Sequence, residues 1–199
     1  MQDMPRCAWC QDGGLMQAYH DEEWGTPLDD NRRHFEYLMM EVMQCGLSWR
    51  LMLQRREAFR SAFDDFDYER IAAYGPEEAD RILQRPGMIR SPRKIGAIIH
   101  NAGIYKAILK EYGSFAAYLA GFAGDMPLIY PAHEHARCAR NALSDCISDD
   151  LRQRGMKYLG SVTVYAHLQA CGVINDHEPG CWRGRQLREQ YAYRICEGT

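Results

Sequence analysis

Cys7 and His20 near one end of the chain, and His177 and Cys181 near the other, supply two thiols and two imidazoles, a complete tetrahedral ligand set for zinc. The spacing is not that of a zinc finger. A Cys-x12-His pair is followed, most of a chain length later, by His-x3-Cys, where a finger uses short loops on both sides. One ion held by all four draws the terminal segments together, so the quartet reads as a staple across a single domain covering residues 1–199, built as one unit or as two helical lobes. Cys10 forms a Cys-x2-Cys arrangement with Cys7, which leaves open a redox-active pair, or Cys10 as a ligand in place of Cys7.

A chain of 199 residues buries enough surface to fold without disulfides, so a metal supplements a core and does not replace one. Eight cysteines at irregular spacing, with no apolar signal segment between Met1 and Asp12, point to reduced thiols and a cytoplasmic protein. No apolar run approaches a membrane span. A net charge of −3 excludes a basic surface all round, so any nucleic-acid contact must come from a local patch.

The periodicity is helical almost throughout. Phe35, Leu38, Met39 and Val42 mark one face of a helix from Asp30 to Gln44, interrupted at Gly46. A second helix covers Ser48 to Phe63, and the Asp64-Asp65 pair starts a turn. Shorter helices are expected over Asp67–Tyr74 and Pro76–Gln84. Ser91-Pro92 opens a long one with an Ile95, Ile98, Ala102, Tyr105 and Leu109 stripe ending near Gly113, after which Ser114 caps the next. Pro127 and Pro131 make residues 124–140 a long loop, and helices over 141–153 and 161–170 follow. No strand alternation of any length and no repeat is visible. The fold class is all-α, a bundle of short helices, possible as two lobes.

Three further clusters bear chemistry. Glu41 is a carboxylate at the edge of an apolar helix face, followed by Gln44, Ser48 and Trp49. Desolvated there, it has a raised pKa and can hydrogen-bond a base; the alternative is an ordinary ion pair with an arginine. Trp9, Tyr19 and Trp24 flank the proposed ligands, and flat aromatic faces suit either an extruded base or core packing. Arg85, Arg90, Arg93 and Lys94 surround a Pro86-Gly87-Met88-Ile89 turn before a helix start, which makes a phosphate seat or a solvated charged turn. His133, His135 and Cys138 read mainly as solvated loop, Cys45, Cys146 and Cys171 as small buried hydrophobes, and Cys196 as part of a mobile end.

Arg6-Cys7-Ala8-Trp9, Ala18-Tyr19-His20-Asp21-Glu22-Glu23-Trp24-Gly25, Cys45-Gly46-Leu47-Ser48-Trp49 and Asn175-Asp176-His177 through Gly180-Cys181 jointly resemble the type I 3-methyladenine DNA glycosylases, in order and spacing, from about residue 6 to about residue 182. The resemblance implies the two-lobed helix-hairpin-helix glycosylase architecture with a structural zinc on Cys7, His20, His177 and Cys181. It implies that Glu41 contacts the modified adenine between walls formed by Trp9, Tyr19 and Trp49. The corresponding activity is monofunctional hydrolysis of an N-glycosidic bond in alkylated double-stranded DNA, with no Schiff-base lysine. Apart from the resemblance, the basic patch of Arg90, Arg93 and Lys94 is expected to grip the duplex, and the protein is expected to be a monomer.

Met16 stands where the family usually has tyrosine, Val42 where it has glycine, and Ser91 follows Arg90 where a histidine is frequent. The aspartate that many members of the wider superfamily carry beyond the hairpin has no placed counterpart. Two other classes remain: a zinc-stabilised module that binds DNA without hydrolysis, and a thiol-redox protein using Cys7 and Cys10.

Overall fold

In a computed structural model, residues 4–11, 13–44, 46–134 and 138–196 are described. Cys45 and His135, named above, lie outside these residues. The described chain is a helical assembly: α1 (Gly14–Glu22), α2 (Asn31–Gln44), α3 (Trp49–Ala62), α4 (Tyr68–Ile71), α5 (Pro76–Gln84), α6 (Pro92–Tyr112), α7 (Phe115–Ala123), α8 (Ala142–Gln153), α9 (Ser161–Ala170) and α10 (Trp182–Gln190). None is long and apolar enough to cross a membrane.

Local signals set many of the helix ends. Ser48 accepts from Leu51 N, Ser114 from Ala117 N, and Asn141 and Ser144 bond reciprocally at the start of α8. Each such cap is worth about 1 kcal/mol. Glu78 Oε2 reaches back to Gly75 N at 2.7 Å, so Pro76 begins α5 as its fixed φ favours. Gly113, with φ +85°, ends α6.

Helix α2 runs through the middle of the molecule, packed by α9, α6, α3 and α7. It is not amphipathic as its pattern suggests: every residue from His34 to Met43 is buried. The polar members are therefore satisfied by neighbours. Arg56 and Arg60 both donate to Glu36 Oε1, at 2.6 and 2.9 Å, and Arg56 also bonds Glu23.

Two apolar cores result. The larger is built from buried residues of every helix from α2 through α9, and the smaller gathers Cys7, Cys10, Tyr19, Trp24, Tyr37, Leu53 and Cys181. Leu28 and Trp49 pack against both. The chain ends thus meet at one side of the bundle, where Trp182 N donates to the Pro5 carbonyl at 2.9 Å.

Several expectations change. The helix begun at Asp67 stops at Ile71. The 124–140 loop contains strand β1 (Leu128–Ile129), paired in parallel with β2 (Arg194–Ile195), and a 3-10 turn over 131–134. Cys196 is tied there, its N–H donating to Ile129 O at 2.8 Å. Cys146 is exposed, because α8 turns Ser144, Ile147, Ser148 and Leu151 inward instead.

Candidate active site

The two cores leave a cavity of about 530 Å³ between them, within the range of small-molecule sites. Trp9, Met16, Tyr19, Trp24, Glu41 and Trp49 all line it. The N-terminal segment brings Trp9, α1 brings Tyr19, α2 brings Glu41, and the first turn of α3 brings Trp49. The rings interlock: Tyr19 and Trp49 centroids are 5.4 Å apart, and Trp9 and Trp24 are 5.1 Å apart at 75°. These are the offset and edge-on arrangements that aromatic quadrupoles favour.

Glu41 is 6% exposed, and burial alone pushes its carboxyl up to about 8. Glu36, five residues earlier on the same helix, is held by Arg56 and Arg60, as the contacts above show. Trp49 Nε1 is buried without a hydrogen-bond partner among the described residues, so the wall carries a donor as well as a face. Met16 lines the cavity, whereas Val42 packs in the larger core and does not reach it.

Part of the lining was not read from the sequence. Gln169, Asn175 and Asp176 line the cavity together with Gln44, although Asn175-Asp176 falls inside a family-like block. Gln169 Nε2 donates to Asp176 Oδ2 at 2.8 Å, and Tyr165 OH donates to the same oxygen. His133 is not solvated: its side chain is 8% exposed, Nδ1 lies 3.2 Å from Asp176 Oδ1, and its ring stacks on Tyr130.

Behind Trp9 and Trp24 the quartet converges. Cys7, His20, His177 and Cys181 are all buried, with their donor atoms within 4.8 Å of one another. His177 Nδ1 is 3.5 Å from Cys7 Sγ and 3.4 Å from Cys181 Sγ, and His20 Nε2 is 3.4 Å from Cys181 Sγ. Zinc bonds to nitrogen and sulfur at tetrahedral angles put donor atoms about 3.3–3.8 Å apart, so these residues fit the ion.

Hydrogen bonding from Cys7, with that from His177 and His20, favours the Cys181 thiolate, while Cys181 and burial push the Cys7 thiol up. Gly184 is required beside His177, because a Cβ there would stand 2.6 Å from the His177 Cβ. Cys10 takes no part: its thiol donates to the Cys7 carbonyl at 3.1 Å, and both cysteines are free.

The basic turn lies between α5 and α6, which pack against each other. Gly87, at φ +83°, makes the turn, and Arg90 and Arg93 are exposed. Two other members have partners within the fold. Arg85 Nη1 donates to Ser61 O at 2.6 Å, and Lys94 Nζ to Met43 O at 2.8 Å, near the end of α2.

A helical shell around a cavity with aromatic walls and a desolvated carboxyl is the arrangement that a pocket for an extruded nucleobase calls for, which is the site of a base-excising glycosylase. Residues 9–184 match the methyladenine glycosylase family model, and the chain belongs to that family of enzymes. It is 37% identical to DNA-3-methyladenine glycosylase 1 of Escherichia coli over 179 residues, covering 89% of this chain and 96% of the relative.

A crystal structure of a 3-methyladenine DNA glycosylase I superposes with a TM-score of 0.83 at 40% identity, covering 89% of this chain and 98% of that one. A variant of such an enzyme, solved in complex with 3-methyladenine, superposes at 0.84 with 33% identity, covering 90% and 97%.

Proposed function

We propose that the chain is a monofunctional DNA repair glycosylase that extrudes 3-methyladenine from alkylated double-stranded DNA and hydrolyses its N-glycosidic bond. The observation that carries this is Glu41, a carboxyl kept largely protonated at neutral pH in a cavity walled by Trp9, Tyr19 and Trp49. The likeness to an enzyme solved with 3-methyladenine supports the same substrate.

N3 methylation makes the adenine of the nucleotide cationic, so the base is already a good leaving group. Electron-rich rings favour such a cation over neutral adenine by about 0.5–2 kcal/mol per contact. Entry of the cation draws down the Glu41 pKa, converting a neutral acid into a carboxylate with release of a proton. As the C1′–N9 bond breaks, its electron pair neutralises the departing base. Water adds to the sugar cation and loses a proton, leaving an abasic site. The pocket therefore acts by extraction, stacking and water exclusion, with little demand for proton transfer to the base.

Arg90 and Arg93 hold backbone phosphates in this reading, from a helix-hairpin-helix element formed by α5 and α6. Lys94 stands beside them and braces α2. Cys7, His20, His177 and Cys181 hold a structural zinc, which ties the terminal segments together behind the aromatic wall. The enzyme acts as a monomer in the cytoplasm, where thiols such as its own remain reduced.

Incubation of wild-type protein with methylated duplex DNA tests the reading. Free 3-methyladenine and intact abasic strands are expected. Tight binding without base release would favour the DNA-binding module instead.

A further inference from the structure

Toward the N-terminal end of α2, two helical turns before Glu41, three buried side chains converge that the glycosylase reading does not use. They are His34 on α2, His167 on α9, and Cys171 just beyond the end of α9, which are 1%, 1% and 2% exposed. One donor atom from each lies within 4.8 Å of the others. We propose that these residues form a second metal site, with two imidazoles and one thiolate holding a zinc-like divalent cation and a fourth position left for water.

The tautomer of His34 suits it, whereas a metal-bound Nε2 on His167 leaves its Nδ1 buried without a hydrogen-bond partner among the described residues. His34 Nε2 lies 2.7 Å from the Leu28 carbonyl, so that nitrogen carries the proton and Nδ1 presents its lone pair inward. A ligating histidine almost always has such an outer hydrogen bond. His34 Nδ1 and His167 Nε2 are 3.3 Å apart. Without an ion this is a hydrogen bond between the two rings, and the same separation equals the edge of about 3.3 Å between two nitrogens on tetrahedral zinc.

The ligand states follow from burial. It pushes His34 down to about 4 and His167 well below its usual value, so both are neutral ligands at physiological pH. Burial pushes the Cys171 thiol up to about 12, but a coordinating cation deprotonates a thiol, so uptake of the ion releases one proton to solvent.

An entry path exists. His34 and Cys171 line a second cavity of about 370 Å³, bounded also by Leu28, Pro127 and Val173, from which water can fill the fourth position. The ion would clip α2 to the end of α9, in addition to any clip between the chain ends.

The test loads the metal-stripped full chain with cadmium-113. The wild type is expected to take up two equivalents and to show two resonances, one in the range for two thiolates and one in the range for a single thiolate. Cys171→Ser and His34→Gln should each lose the single-thiolate resonance and one equivalent, while Cys7→Ser should lose the other. A wild type without the single-thiolate resonance would overturn the proposal, whether or not the variants fold. So would retention of that resonance in folded Cys171→Ser.

Discussion

Asp21 holds the ring of its neighbour His20, with Oδ1 2.7 Å from Nδ1, and so turns Nε2 toward Cys181. Arg6 Nε in turn lies 3.0 Å from both oxygens of Asp21. A carboxylate behind a histidine fixes its tautomer and raises its strength as a ligand. On the zinc reading, Asp21→Asn should weaken zinc binding by about 10–100-fold with the four ligands intact. Competition with a chelating dye measures this directly, and unchanged affinity would remove Asp21 from the site.

Glu41 gives the fold a pH dependence of known sign. Its carboxyl titrates near 8 when folded against an ordinary 4.5, so the folded state holds a proton that the unfolded chain gives up. The associated stability is present below about 4.5 and is lost as pH rises through about 8. Glu41→Gln, neutral at all pH, should therefore stabilise the unliganded protein at pH 8 on the order of a few kcal/mol, and the gain should fade toward pH 5. Denaturant unfolding at the two pH values checks this. A gain that grows toward pH 5 would show the opposite shift.

The basic turn divides into two roles. Arg93 is exposed, so Arg93→Ala should weaken binding to duplexes of any sequence and lower the salt slope by about one, with little change in stability. Lys94 bonds the Met43 carbonyl, so Lys94→Ala should lower the melting temperature as well. Salt-dependent binding and thermal melts of both variants separate these outcomes.

How much of this was legible from the sequence depends on how local each signal is. Pro76, Gly113, Ser114 and Asn141 announce helix ends through their own backbone and side-chain chemistry, and the helices start or stop beside them. Helices α1 and α10 gave no such warning. Helix α1 buries Tyr19 and His20 while Leu15 is 52% exposed, and α10 buries little beyond Gly184 and Leu187. A hydrophobic-stripe reading has almost nothing to find there.

Strands of two residues are too short to alternate, and their pairing joins Leu128 to Arg194 across a long stretch of chain. In the site, Glu41, the aromatics and the Cys7, His20, His177 and Cys181 quartet, all named from spacing and resemblance, come together around one region. The His133–Asp176 wall, bonded by Tyr165, escaped because three separate segments build it, and neither His133 nor Tyr165 falls in a motif that marks it.

On the glycosylase reading Glu41, desolvated among aromatic rings, recognises the methylated adenine. The direct measurement is release of free 3-methyladenine from methylated duplex DNA by wild type and Glu41→Gln, with equal folding verified for both. The variant keeps the size of the side chain and the aromatic walls but cannot become a carboxylate against a cationic base. Release is predicted to fall by about 10-fold or more, corresponding to the loss of one charge-assisted hydrogen bond in a dry pocket. Release by Glu41→Gln at the wild-type rate would contradict the account.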